Sequence, residues 1–310
     1  MKKTIIPGTD LLASNVIAGM MRIDKLSDSE IRALQSAATE SGINFIDHAD
    51  VYGYDHLCER RWAEALGLTS AQRADLIIQT KAGIVPAEPL FDFSTEHLIE
   101  AAEGSLKALG TDYIDILLLH RPDALVEPDE VAAAFDQLHE QGKVRYFGVS
   151  NHTPLQIELL KRSVNQPLVI NQLQLSITHA PLIAEGVATN MQGLPQSVDR
   201  GAGLLDYCRL NNITIQAWSP FQKGFFDGVF LGDRADYPEL NDLLDAYAAK
   251  YKVEPIAIAT AWIFRHPANM QVVLGTTNPD RIRNAAQGSG IRLTRAEWYA
   301  LFRAAGYTVP

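Results

Sequence analysis

The sequence has almost no cysteine, no long apolar run, no excess of positive charge and no glycine-rich nucleotide loop. Its 310 residues include two cysteines, Cys58 and Cys208. Two are too few for a disulfide framework, and neither belongs to a Cys/His spacing that would hold structural zinc, so no metal is expected. No window approaches the roughly 18 apolar residues of a membrane span. The opening Met1-Lys2-Lys3-Thr4-Ile5-Ile6-Pro7-Gly8 has basic residues but lacks the apolar stretch of a signal peptide. The expectation is a soluble protein of the reducing cytoplasm. Lys and Arg number 27 against 37 Asp and Glu, a net charge of -10. Without a basic run, such a chain is a poor partner for nucleic acid or an anionic membrane. Any phosphate it holds needs local cations, backbone N–H groups or helix N-termini.

What is present is a rhythm of short apolar run, loop and helical pattern, with no linker or low-complexity break. The runs are 16–18, 43–46, 76–79, 113–119, 144–149, 168–173, 213–217 and 271–274. They are β-branched and nearly continuous, as strands buried on both faces should be. Between them, Ser27 with Glu30 forms a capping box and Gly42 supplies a stop. Thr153-Pro154 with Gln156, and Asn278-Pro279, mark two further helix starts. Leu98, Ala102, Leu106 and Leu109 lie on one helical face. Helices are also expected near 238–251 and 254–266.

Eight strands alternating with helices leave an open doubly wound sheet or a closed barrel. The turn after the first run, Gly19-Met20-Met21-Arg22, carries no GxGxxG, which argues against a dinucleotide-binding open sheet. The fold expected is therefore α/β, a (β/α)8 TIM barrel forming one domain over 1–310. Thr4 to Leu12 becomes an N-terminal β-hairpin turning at Pro7-Gly8, and Thr294 to Ala304 an extra C-terminal helix boxed by Thr294 and Glu297.

Chemistry in such a barrel belongs at the C-terminal ends of the strands. There the sequence places Asp47-His48-Ala49-Asp50-Val51-Tyr52-Gly53, then Thr80-Lys81, then His120-Arg121. Taken alone, Lys81 reads as a solvated loop charge, His120 as a hydrogen-bonded core histidine and His48 as part of the barrel wall. Together, Asp47, Tyr52, Lys81 and His120 face one mouth and make a coherent set. A free phenol, with a pKa of about 10, exchanges protons poorly at neutral pH. A Lys81 ammonium fixed by Asp47 favours the phenolate and tunes Tyr52 as a general acid, while His120 orients a carbonyl oxygen.

These residues resemble a known family. Phe45-Ile46-Asp47 through Tyr52-Gly53, Lys81, Leu118-Leu119-His120-Arg121-Pro122-Asp123, Gly148-Val149-Ser150-Asn151-His152, Gln172, Trp218-Ser219-Pro220 and the segment Gly275 to Arg283 are similar, in order, to the aldo-keto reductases. The resemblance implies NADPH-dependent reduction of an aldehyde or ketone, with a small carbonyl compound as partner. It makes Asp47, Tyr52, Lys81 and His120 the catalytic tetrad, with Tyr52 the proton donor. It assigns Ser150, Asn151 and Gln172 to the nicotinamide carboxamide, Trp218 to the nicotinamide ring, and Met21 and Arg22 to its ribose. Ser219, Phe221, Lys223 and Gly224 fall where the pyrophosphate is covered. Gly275, Thr276, Thr277 and Arg281 fall around the adenosine 2′-phosphate, and Asn284 near the adenine. A helix starting at Asn278-Pro279 would point free N–H groups at an anion, with Lys223, Arg281 and Arg283 as available cations.

Two departures stand out. His48 replaces a common Thr, and Gly275-Thr276-Thr277 lacks a Lys of many relatives, which keeps NADH open as the alternative cofactor. Substrate choice is expected in the loops 176–199, 83–93 and 221–238, the last with Phe225, Phe226 and Phe230. Two other readings stay open: a Schiff-base barrel lyase using Lys81, and a nucleotide-binding regulatory subunit of the same fold. The sequence does not fix the oligomeric state.

Overall fold

A computed structural model of the chain describes residues 1–225 and 227–310; Phe226 lies outside the described residues. Eight parallel strands close into a barrel in the order of the sequence. They are Val16–Gly19, Phe45–Asp47, Ile77–Ala82, Ile114–Leu119, Val144–Ser150, Leu168–Gln174, Thr214–Trp218 and Met270–Leu274, counted below as the first to eighth barrel strands. Closure is made by the eighth against the first, with Val272 opposite Val16 and Leu274 opposite Ala18. The expected (β/α)8 barrel is thus the observed fold. The strand-forming runs were readable because barrel strands are covered on both faces and need apolar residues at nearly every position.

The helices start where their caps predict. The boxes Ser27/Glu30, Thr153/Gln156 and Thr294/Glu297 are all closed. They open helices at Asp28–Glu40, Pro154–Leu160 and Arg295–Ala304. Pro238–Tyr251 and Pro255–Arg265 fill the two helices expected after the seventh strand. The N-terminal hairpin, Lys3–Ile5 against Leu12–Ser14, turns through Gly8 at φ +81°. Ile6, Leu11 and Ala13 pack on Ile17, Phe45, Ile77 and Ile116, so the hairpin plugs the base of the barrel and leaves its other end open for chemistry.

One expectation fails in detail. The 176–199 segment, read as having little helical pattern, contains the helix Pro181–Val187 and the short 3-10 turn Pro195–Ser197. Pro181 starts that helix without a side-chain cap, and it spans only two turns, too short for periodicity to reveal.

Candidate active site

The second and third strands end side by side. Asp47 pairs with Gln79 in register, which puts Lys81 one pleat further up on the same inner face. Lys81 is fully buried and its ammonium has four partners. It lies 2.8 and 2.7 Å from the Asp47 carboxylate oxygens, 2.7 Å from the His48 carbonyl and 3.1 Å from the Tyr52 phenol oxygen. Tyr52 stands edge-on to His120, with ring centroids 5.9 Å apart. The four residues expected as a tetrad are therefore brought together.

Tyr52 is aimed by the chain that follows it. Gly53, Tyr54, Asp55 and His56 all have positive φ, three of them non-glycine residues. Such residues cost about 1 kcal/mol or more each. The turn is held by bonds from the His56 N–H to the Asp50 carbonyl at 2.7 Å and from the Cys58 N–H to the Tyr52 carbonyl at 3.1 Å. The His56 ring adds a 2.6 Å contact to the buried Glu59 carboxylate, which also accepts the Thr80 hydroxyl. Behind Asp47 runs a line of glutamine amides across the barrel. Gln79 and Gln172 each donate to Asp47 Oδ1, at 2.6 and 3.0 Å, and both donate to Gln216 Oε1. Gln216 in turn donates to Gln271, and Gln271 to the Ser14 carbonyl.

The electrostatics follow from burial and pairing. Burial works against the Lys81 ammonium, but Asp47 and then Tyr52 outweigh it and raise its pKa. Burial dominates at Tyr52 and raises the phenol above its ordinary value, against the opposing pull of Lys81. This corrects the expectation that Lys81 fixed by Asp47 favours the phenolate: Asp47 neutralises much of the lysine charge and leaves desolvation as the larger effect. His120 is held well below its ordinary value by burial, then by Lys81 and Arg121, so it is neutral. His48 is completely buried edge-on to Trp62, 5.2 Å between rings, and burial lowers it to about 4. It is a packing residue on the helix side of its strand and does not line the cleft.

The mouth opens into a cleft of about 980 Å³. Its wall carries Asp47, Tyr52 and His120, and also Met21, Arg22, Ser150, Asn151, Gln172, Trp218, Ser219, Phe221, Gly275, Thr276, Thr277, Arg281 and Asn284. Lys81 sits behind Tyr52, off the wall. Ser150 donates to the Gln172 backbone carbonyl at 2.9 Å, Asn151 to Ser150 at 2.8 Å, and the Trp218 indole to Asn151 at 3.1 Å. The Gln172 side-chain oxygen accepts nothing among the described residues, although its nitrogen is committed to Asp47 and Gln216.

Several expected contributions are absent. Lys223 and Gly224 are not on the wall, and the Lys223 ammonium is bound between Asp233 and Asp236 at 2.8 and 2.7 Å. Arg283 pairs with Glu40 and Asp280. The helix Pro279–Gln287 does not offer its first N–H groups, because the Asn278 side chain accepts from Asp280 and Arg281. Arg281 itself has no ion pair among the described residues, and Arg22 reaches the Gly275 carbonyl at 2.7 Å.

No residue of 176–199 lines the cleft, whereas Ile84, Phe221 and Phe225 do. Phe230 is fully buried and packs its loop onto the barrel, and Phe226 lies outside the described residues. Sequence reading missed the glutamines Gln79, Gln216 and Gln271. Gln216 lies inside its apolar run, whereas Gln79 and Gln271 lie at the ends of theirs, where a polar residue reads as a strand boundary.

Comparison with known proteins agrees with this geometry. A model of the aldo/keto reductase family matches residues 15–304. The oxidoreductase YdhF of Escherichia coli is 34% identical, over 87% of this chain and 85% of its own. The 6-dehydroglucose reductase of Agrobacterium fabrum is 33% identical, over 93% of each chain. A crystal structure of a thermostable aldo-keto reductase bound to the inhibitor epalrestat superposes with a TM-score of 0.77 at 23% identity, covering 98% of this chain and 100% of that one.

Proposed function

As the chain belongs to the aldo/keto reductase family of oxidoreductases, we propose that it reduces aldehyde or ketone carbonyls to alcohols with NADPH. The observation that carries this reading is the Tyr52 phenol 3.1 Å from a Lys81 ammonium that is itself bidentate on Asp47, at the floor of a cleft that also exposes His120.

The cleft suits a nicotinamide cofactor. The open Gln172 oxygen is an acceptor for a carboxamide NH2, with Ser150 and Asn151 beside it, and Trp218 offers an aromatic face. The unpaired Arg281, with Thr276 and Thr277, favours a 2′-phosphate and hence NADPH over NADH. When bound, the reduced nicotinamide supplies hydride to the carbonyl carbon. Tyr52 gives its proton to the carbonyl oxygen, and Lys81 stabilises the phenolate left behind until a proton returns from solvent. His120, being neutral, donates a hydrogen bond to that oxygen and is not itself the acid. Met21 and Arg22 also line the cleft, Arg22 against the Gly275 carbonyl.

A Schiff-base role for Lys81 finds no support. All its protons are engaged, its pKa is raised, and it lies off the cleft wall. Two free, buried cysteines fit a cytoplasmic setting. The test is oxidation of NADPH and NADH, followed by absorbance, against aldehydes and ketones, with polyhydroxylated aldehydes first because of the name of the Agrobacterium relative. Failure to oxidise either cofactor with any carbonyl would sink the reading.

A further inference from the structure

Arg121 follows His120 at the end of the fourth strand and is used by none of the roles above. The chain holds 37 carboxylates, yet among the described residues Arg121 has no ion pair and no hydrogen bond. The nearest acid in sequence, Asp123, is spent on the backbone N–H groups of Phe93 and Leu125. The guanidinium is half-buried and lies 5.6 Å from the centre of the Trp218 ring. It borders both the main cleft and an adjoining one of about 620 Å³, walled also by Gln174, Trp218 and Phe91. Gln174 ends the sixth strand, and its Nε2 is buried with no hydrogen-bond partner among the described residues. Arg121 is near enough to depress the basicity of His120. A buried donor without an acceptor and a half-buried cation without a counter-charge are each costly, so their meeting on one wall points to a ligand that supplies oxygen and negative charge.

We propose that Arg121 and Gln174 form an anion subsite beside Tyr52 and His120, selecting carbonyl substrates that carry a carboxylate a few bonds from the reacting carbon. A guanidinium takes the two oxygens of a carboxylate side by side, and the Gln174 N–H adds a third donor. The Trp218 ring, 5.6 Å from the guanidinium carbon, adds a cation–π contact that restrains the Arg121 side chain before a ligand arrives. The proposal rests on the reductase reading only for the chemistry of the carbonyl end, because the subsite can be tested without turnover.

The probes are butanoate and butanamide, which share a shape and differ by one charge, titrated calorimetrically into the protein. Butanoate should bind about tenfold or more tighter. Arg121→Met should erase that preference, Arg121→Lys should restore part of it, and Gln174→Leu should weaken butanoate more than butanamide. Equal affinities in the unsubstituted protein overturn the subsite, as does a preference that survives in both Arg121→Met and Gln174→Leu. Steady-state turnover with NADPH then compares succinic semialdehyde with butanal. The ratio of their kcat/KM values should favour the acid in the unsubstituted protein and fall in Arg121→Lys. Equal decline for both aldehydes instead assigns Arg121 to tuning His120 and rejects the subsite. If neither aldehyde reacts, the calorimetry alone decides the subsite, and the reductase reading is judged by the wider carbonyl panel.

Discussion

The Lys81 ammonium meets both carboxylate oxygens of Asp47, at 2.8 and 2.7 Å, with neither side chain more than 3% exposed. The pair is not isolated: Asp47 Oδ1 also accepts from Gln79 and Gln172, so its lone pairs are filled from the third and sixth strands. A buried ion pair repays its desolvation only with such extra hydrogen bonds.

Removing the cation alone should therefore be costly. Lys81→Met leaves Asp47 as a buried carboxylate with two amide donors and no counter-charge. A loss of about 3–5 kcal/mol in urea-unfolding free energy is expected at neutral pH. A loss well under 1 kcal/mol would mean that the glutamine line alone satisfies Asp47.

Tyr52→Phe tests the proton donor. The Lys81 ammonium meets the phenol oxygen and also lies 4.9 Å from the ring centre, and the Phe ring keeps that second contact and the same edge toward His120. Turnover should fall by about two to four orders of magnitude, while NADPH affinity measured by fluorescence titration stays close to that of the parent. Full activity in this variant would remove Tyr52 from its role.

Arg281 lines the cleft with Thr276 and Thr277 and has no ion pair among the described residues, whereas Lys223 and Arg283 are bound to carboxylates. Arg281→Met should raise KM for NADPH by about tenfold or more and change KM for NADH far less. A parallel rise for both cofactors would place the residue elsewhere than the 2′-phosphate.

The barrel strands and helix caps were legible because their signals are local. A run buried on both faces reads as a run, and Ser27 with Glu30 reads as a box. The tetrad was legible because each member sits at a strand end, where the barrel gathers them. The glutamine line was not. When both faces of a strand are buried, the two-residue alternation disappears, and nothing in 213–217 says that Gln216 points inward. The proton affinity of Tyr52 was misread for a related reason: sequence shows a lysine neighbour but not the desolvation that competes with it. Lys223 and Arg283 looked available because their carboxylate partners, Asp233 and Glu40 among them, are brought in by tertiary folding.

Asp50 offers a pH test of the turn that aims Tyr52. Its carboxyl is 7% exposed and its pKa is raised from 3.8 to about 7, first by burial and then by Glu59, with His56, the Val51 N–H and Lys81 acting the other way. The folded chain holds this proton more tightly than the unfolded chain does. The contribution of Asp50 to stability is therefore full below about pH 4 and is lost as pH rises through about 7. The whole interval corresponds to at most about 4 kcal/mol. Asp50→Asn has no proton to lose, so its stability relative to the parent should improve between pH 5 and pH 8, read from urea midpoints at each pH. If the difference between the two proteins is the same at both values, Asp50 does not titrate near 7 in the folded chain and this account of its carboxyl does not hold.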